Sequence, residues 1–481
     1  MKLLFLLFVL VSYNTFCQPV YLANEVSQPA EPSGGTIMLN EFIKANVQIP
    51  IRSAARGLNG GVFVKGIVEP DGRMTNLEVS RSLDSLVDQE ALRLLGLYRA
   101  WKPAIREGQA VRQTMTYPVF FRTATLPAYD ADKQTLYEYF DKNQAPTSDT
   151  TQYEYRSLIP VDERGFVRDK VEYQQNRKGK WKTVSTLPFQ KEEIWFRYSY
   201  GAKRDSIRAF KIIAQSDYQT GSREEMIVQK DRKLLTQTTY PGGGKPSQFG
   251  KTYYLSGLLK EERSPVTANT VRIEEWHENG QLHSVMDQED GVRYAIGQVW
   301  DQAGTQLVKD GNGWAKITVT PFNEGMVYEE GRVQDSLKTG RWTGKLADST
   351  LAYEEFYESG TFQKGVGNVN GTAVDYKTPF ASSPQFKGEN GVQDMYRFLG
   401  QNIRYPIEAA RSKITGKVIL SFMVNKDGSS SDFQLEKGTH KALDQEALRV
   451  AKLMDGHWKP AQVKGRTIRV RYTLPITFNT N

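Results

Sequence analysis

The stretch LDQEALRVAKLMDGHWKPA (residues 443–461) has a near copy, VDQEALRLLGLYRAWKPA (residues 87–104), close to the other end of the chain. Subtracting positions shows how far the likeness extends. Pro406 lies 356 residues after Pro50, and the same offset relates Gly416 to Gly60, Asp427 to Asp71, Gly428 to Gly72 and Asp444 to Asp88. Beyond the shared helix the offset becomes 357, as for Trp458 and Trp101 or Pro475 and Pro118. One residue inserted at the helix end accounts for the change, since loops absorb insertions that packed elements do not. The chain contains a duplicated domain, residues about 38–122 and 392–479.

Each copy reads as strand, turn, strand, helix and strand. In GKVILSFMVNKDG, the apolar residues Val418, Leu420, Phe422 and Val424 alternate along a strand that ends at the hairpin signal Asp427-Gly428. Val62, Val64 and Val68 keep the same phase before Asp71-Gly72. A second strand runs through Phe433 and Leu435. Asp444 is expected as the N-cap of the helix, with Glu446 near the positive end of its dipole. Ala447, Val450, Ala451 and Met454 recur at helical spacing, as do Ala91, Leu94, Leu95 and Tyr98. The helix start explains the Asp-x-Glu pair better than acid–base catalysis does.

The last strand places Ile468, Val470, Tyr472, Leu474, Ile476 and Phe478 on one face and Arg469, Arg471 and Thr473 on the other. Pro475 and Pro118 fall inside these strands. Proline cannot donate to a ladder, so an edge strand or a bulge is expected in both copies. An edge strand offers unpaired backbone groups to an incoming strand.

These residues resemble the C-terminal domain of TonB-type energy transducers in the form common in Bacteroidota. The second copy carries the fuller pattern: Pro384-Gln385-Phe386 and Gly388, the run Phe398 to Pro406, Gly416, Asp427-Gly428, Leu443-Asp444, Ala447, Trp458-Lys459-Pro460-Ala461 and Leu474-Pro475-Ile476-Thr477-Phe478. The first copy has Ile49-Pro50 where the second has Tyr405-Pro406. The resemblance implies a periplasmic domain that captures a short segment of outer-membrane TonB-dependent receptors by strand addition. Carried over by residue, it implicates Tyr405, Pro406, Ile468, Val470, Tyr472, Leu474, Pro475, Ile476 and Phe478 in partner binding. Two features of a classical transducer, an uncleaved anchor helix and a long proline-rich arm, are not found in this sequence.

Between the copies, YYLSGLL (from 253), WHENGQL (276), WDQAGTQL (300) and FYESGTF (356) each place an aromatic residue four positions before a glycine. Asn-Gly is a strong hairpin-turn signal, and Ser-Gly and Ala-Gly serve with less preference. A series of hairpins packing aromatics against one another is expected, and it resembles the MORN-type repeat variant. These aromatics are expected in the core rather than as ligand stackers. Segments such as EEIWFRYSY and KTVSTL read as further strands.

The chain begins MKLLFLLFVLVSYNTFCQ, a positive start and a short apolar run that reads as an export signal cleaved after Cys17. The rival reading is a lipoprotein acylated at Cys17, but Asn14, Thr15 and Phe16 depart from that motif. Cys17 is the single cysteine, so no disulfide framework is available. With 39% apolar and 25% charged residues, the composition is that of a globular chain, and its net charge of +8 suits a solvated mixed surface. Nucleic acid is not an expected partner of an exported chain. The sequence leaves membrane-surface or peptidoglycan contact and a homodimer open.

Chemistry is not expected. His277 and His283 stand six apart without ligand-type neighbours at metal spacing, and the loop GGGKPS (242–247) lacks the phosphate-loop spacing. The expected class is α+β, with two TonB C-terminal-like domains of strand-strand-helix-strand order flanking a hairpin-repeat region. The expected boundaries are 1–17 for the signal, 36–123 for the first copy, 124–245 for a β-rich region, 246–370 for the repeats and 383–479 for the second copy. The expected protein is a cofactor-free, non-enzymatic binder, with an envelope scaffold role as the alternative.

Overall fold

The computed structural model describes residues 19–123, 128–200, 203–215, 221–241, 249–290, 293–319 and 326–479. The leader, Cys17 and the loop at 242–247 lie outside the described residues. The chain divides into two compact units, one of Met1–Phe196 and Ile207–Leu307 and the other of Arg197–Ser206 and Val308–Asn481.

In the first unit the first copy begins with a helix, Gly35–Asn46, that the strand-strand-helix-strand reading does not include. Leu39, Phe42 and Ile43 on one face of it are buried, at the spacing of a helix stripe. Strands Asn59–Val68 and Met74–Arg81 form the expected hairpin, and helix Ser85–Leu97 covers it with Val87, Ala91, Leu94 and Leu95. The long strand Gln109–Arg122 pairs with Asn59–Val68 on one side. On its other side the short strand Val20–Tyr21 pairs in parallel with Arg112 and Gln113, and Ala104–Arg106 pairs with the strand's first residues.

The rest of this unit is antiparallel. Residues 129–186 form a five-stranded sheet. From Arg223–Gln229 to Arg293–Trp300, each strand pairs with the next. The turns at Gly257, Gly280 and Gly304 share one geometry. In each, the glycine N–H bonds to the carbonyl three residues back, at Tyr254, His277 and Asp301, and the glycine sits at φ of 87°, 90° and 81°. That left-handed conformation is why glycine recurs there. The aromatic four residues earlier is Trp276, which is buried, or Tyr253 or Trp300, which pack against the same core.

The first copy is built into this meander. The backbone N–H of Leu259 donates to Oδ1 of Asn46 at 2.7 Å, and that of Arg99 donates to the Asn279 carbonyl at 2.8 Å. A Cβ on Gly280 would stand 2.9 Å from the Phe42 ring. Leu258, Leu259, Trp276 and Leu282 share one core with the domain's own residues.

In the second unit, six strands from Asn312–Val319 to Thr372–Tyr376 run antiparallel, each to its neighbour. Glycines sit opposite large aromatics: Gly331 opposite Trp342, Gly344 opposite Tyr353 and Gly365 opposite Tyr376. A Cβ at any of the three would come within 2.5 Å of the facing ring, so each aromatic packs against a backbone that only glycine leaves bare.

The second copy repeats the first, with helices Val392–Asn402 and Ile407–Arg411, strands Gly416–Val424 and Ser430–Lys437, and helix Lys441–Leu453. A small hairpin of Ala461–Val463 and Arg466–Ile468 follows, then the terminal strand Val470–Phe478. The helix starts before Asp444. His440 is the N-cap, and its Nδ1 accepts the Ala442 N–H, where the first copy uses Asp84 to accept that of Leu86. Asp444 instead lies inside the first turn and accepts the Thr439 N–H at 2.9 Å.

Candidate partner-binding edge

The three-stranded sheet of the second copy has the order Ser430–Lys437, Gly416–Val424, Val470–Phe478. The register runs from Gly416 opposite Phe478 to Val424 opposite Val470. The terminal strand is therefore an edge among the described residues. Pro475, opposite Ile419, fits such a place because an edge strand needs only half of its backbone groups for the ladder.

The side chains of this strand divide by face. Leu474, Ile476 and Phe478 are buried in the domain core with Val418, Leu420, Phe422 and the helix residues Ala447, Val450 and Ala451. Tyr472 packs against that core, 4.7 Å from the Trp458 ring between centroids, and burial pushes its phenol up. Ile468 lies one element earlier, in the short hairpin, and with Val470 it packs against the meander strands through Val327, Ala352 and Tyr353. Arg471, Thr473, Pro475 and Thr477 point outward. What this edge presents to a partner is thus backbone and a polar row, while the apolar set holds the domain together.

Tyr405 and Pro406 also have structural work. The Tyr405 ring meets Phe478 edge-on at 5.9 Å, its hydroxyl donates to the Ile414 carbonyl, and Pro406 is the N-cap of helix Ile407–Arg411. Behind this corner sits an ion pair that both copies keep. Glu446 accepts from Arg449 at 2.7 and 2.8 Å and from the Arg404 N–H at 2.6 Å, and Arg449 donates on to the Asn402 carbonyl at 2.7 Å. In the first copy Glu90, Arg93, the Gln48 N–H and the Asn46 carbonyl make the same four contacts at 2.6–2.7 Å. Burial would raise the Glu446 carboxyl, but Arg449 and the Arg404 N–H lower it overall. Glu446 therefore anchors the chain entering Tyr405 to the helix.

The histidines are engaged in packing. Burial, and after it the neighbouring His283, push His277 down to about 4, and its Nε2 lies 3.0 Å from the Trp300 carbonyl, to which it donates. His457 stacks on Phe386 with ring centroids 5.7 Å apart.

Sequence reasoning missed the Lys464 turn of the small hairpin. Lys464 enters the meander and reaches Glu355 and Glu329, with its ammonium 4.0 Å from the Tyr353 ring centroid. Lys338 also pairs with Glu329, and the hydroxyls of Tyr353, Tyr357 and Tyr376 donate to the two carboxylates. Burial and the adjacent carboxylates push all three phenols up, so they remain donors. The acids and the lysine lie more than a hundred residues apart in sequence, and no local spacing marks them.

The family model for the C-terminal domain of Gram-negative bacterial TonB protein matches this chain twice, at residues 45–123 and 401–480. The duplicated unit is a TonB C-terminal domain. Two NMR solution structures of the Helicobacter pylori TonB C-terminal domain are similar in sequence to part of the chain. One is 25% identical and covers 19% of this chain and 80% of that one, with a TM-score of 0.16. The other is 26% identical and covers 18% and 91%, with the same TM-score of 0.16. No curated protein sequence matches the chain. A protein-interaction role in the cell envelope is what two TonB C-terminal domains suggest.

Proposed function

We propose that the protein is an exported periplasmic binder whose second TonB C-terminal domain captures an extended segment of an outer-membrane TonB-dependent receptor by strand addition along Val470–Phe478. The observation that carries this reading is the terminal strand's pairing on one side alone among the described residues, with Gly416–Val424. Backbone hydrogen bonds supply affinity in such a complex and the outward row Arg471, Thr473 and Thr477 supplies selectivity. The protein acts without cofactor or catalysis, and coupling to energy transduction for transport belongs to the same proposal. Hydrogen exchange on the full chain, with and without synthetic peptides from periplasm-facing receptor segments, tests it. Slowed exchange confined to Val470–Phe478 is expected, and unchanged exchange there with every peptide would overturn it.

An envelope scaffold is the second reading, and one observation favours it for the first copy. Its leading helix shares a core with the meander and Asn46 bonds the meander backbone at Leu259, so this copy serves as a structural part of its unit.

A further inference from the structure

The first copy meets the hairpins of its unit at their glycine turns. Asp162–Gly165 has the same geometry as the turns at Gly257, Gly280 and Gly304, with the Gly165 N–H bonded to the Asp162 carbonyl at 2.9 Å and φ of 89°. Ile51, the first residue of helix Ile51–Ala54, donates its N–H to the Glu163 carbonyl of this turn at 2.8 Å. Ile51 is 7% exposed, packed with Ile159, Val161 and Val167, and a Cβ on Gly165 would stand 3.2 Å from its Cδ1. Asn46, Phe42 and Gly34 meet the next three turns in order. Asn46 takes the Leu259 N–H just past Gly257, Phe42 faces Gly280, and a Cβ on Gly304 would stand 2.8 Å from the Gly34 nitrogen.

The second copy keeps most of these residues without the turns. The offset of 356 maps Ile51, Asn46, Phe42 and Leu97 onto Ile407, Asn402, Phe398 and Leu453, identical in each case. Ile407 is 70% exposed and Leu453 45%, whereas Leu97 packs against the first copy's core. Asn402 repeats the bond that Asn46 makes within its helix, from Nδ2 to the carbonyl four residues back, at 2.8 Å against 2.9 Å. Its Oδ1, the atom with which Asn46 takes the Leu259 N–H, accepts no hydrogen bond among the described residues. Phe398 alone is capped from within the domain, by Phe386 and His457.

The charges of this face differ between the copies. Exposed Arg404, Arg411 and Lys452 stand beside Ile407 and Leu453 in sequence where the first copy has Gln48, Ala55 and Gly96; one change runs the other way, Arg52 to Glu408. The turns that dock on the first copy carry acids: Asp162 and Glu163 before Gly165, Glu278 before Gly280 and Asp301 before Gly304. In any second molecule of this chain those turns are already covered by its own first copy.

We propose that the face of Ile407, Asn402 and Leu453 docks a different protein built of β-hairpins, with Ile407 receiving a glycine turn that carries acidic residues, as Ile51 receives Asp162–Gly165. Burial of the isoleucine supplies affinity, and the basic residues favour an acidic turn over a basic one. The face belongs to the helices and is independent of strand addition along Val470–Phe478.

The test uses the full chain with ¹³C-methyl-labelled isoleucines and a backbone-cyclised hairpin of residues 159–168, IPVDERGFVR, as probe. A saturable shift of the Ile407 methyls is expected, while Ile51, already covered, stays unmoved. Gly165→Val in the hairpin opposes the left-handed turn and is expected to abolish the shift. Ile407→Ser, at an exposed position, leaves the core intact and is expected to weaken binding of the fluorescein-labelled hairpin at least about tenfold, the effect of losing one buried aliphatic contact. Arg411→Glu is expected to weaken it roughly threefold, the scale of one exposed ion pair. No Ile407 shift at millimolar hairpin, equal shifts from both hairpins, movement of Ile51 in its place, or parental affinity in either variant would overturn the proposal. So would a dimer of the chain alone in sedimentation that Ile407→Ser dissolves, which would give the face to a second copy.

Discussion

The ammonium of Lys464, at the turn of the second copy's hairpin, lies 2.5 Å from Oε1 of Glu355 in the strand Leu351–Glu358. Both groups are buried, at 7% and 0% side-chain exposure, so the contact seats a TonB C-terminal domain on the strands that precede it. Gly367 leaves room for the turn, since a Cβ there would stand 2.2 Å from the Lys464 carbonyl oxygen.

Removing that charge takes from the buried Glu355 the cation that pairs with it and leaves Glu329 with Lys338 alone. Lys464→Met keeps most of the side-chain volume and is expected to destabilise the second unit by about 3–5 kcal/mol, the cost of breaking a buried pair from one side. The first copy supplies the control. Its equivalent residue, Glu107, has an 84% exposed side chain, and Glu107→Lys is expected to change stability by less than about 0.5 kcal/mol. Urea denaturation of both variants checks the contrast.

Acid should act on the same network. Burial alone would raise the Glu329 carboxyl, but Lys338 and Lys464, with hydrogen bonds from Lys338 and Tyr353, hold it at about 2 against an ordinary value of 4.5. A depressed carboxylate contributes stability in full above its unfolded value and loses it as pH falls toward the folded one. The second unit's urea midpoint is expected to drop as pH is lowered from about 4.5 towards about 2. In Lys464→Met the drop should be smaller, because one of the two cations that depress Glu329 is gone.

Tyr405 separates folding from binding. Tyr405→Phe removes only the bond to the Ile414 carbonyl and is expected to cost about 1 kcal/mol. Tyr405→Ala also removes the ring from Phe478 and is expected to cost about 3–5 kcal/mol. If the proposed strand addition uses backbone, the phenylalanine variant should bind receptor-derived peptides like the parent, and thermal unfolding should rank the two variants as stated.

The shared ion pair predicts a shared phenotype. Glu446→Ala leaves Arg449 and the Arg404 N–H without their acceptor, and Glu90→Ala does the same to Arg93 and the Gln48 N–H. Each is expected to cost about 1–3 kcal/mol, because the arginine side chains are partly exposed and water can replace some of the loss. Hydrogen exchange should quicken at the residues entering the short helix in the affected copy, 48–55 or 404–412, and stay unchanged in the other.

What was legible in the sequence follows from the range of the interactions. Alternation placed Val418, Leu420, Phe422 and Val424 on a buried face, Asp427-Gly428 marked its turn, and Pro475 pointed to an edge, all from residues within a few positions of one another. The glycines at 257, 280 and 304 marked their turns because no other residue takes that backbone conformation as easily. Asp444 mimics a helix start because it has a capping side chain, whereas the true cap is His440, whose ring nitrogen serves instead. The sequence shows the leading helix Val392–Asn402 only through the motif run Phe398 to Pro406. The candidate apolar residues of the terminal strand were found, but a period of two cannot tell a core face from a recognition face. Lys464 and its two glutamates were invisible, since only the fold brings residues 329, 355 and 464 together.

Glycine substitutions give the sharpest local test of the meander. Gly344 sits opposite Tyr353, and an alanine Cβ would stand 2.3 Å from the ring's Cζ, so the ring would have to leave its place over the backbone. Tyr353 donates to Glu329, and its displacement would reach the Lys464 contact as well. Gly344→Ala is expected to cost about 1–3 kcal/mol through overpacking. Gly400, inside helix Val392–Asn402, meets nothing within 4 Å, and Gly400→Ala is expected to gain about 0.5–1 kcal/mol by relieving the helix of a glycine. Urea midpoints moving in opposite directions would confirm that the first glycine is held by packing and the second by nothing in the fold; a neutral Gly344→Ala would mean that the ring does not rest on that backbone.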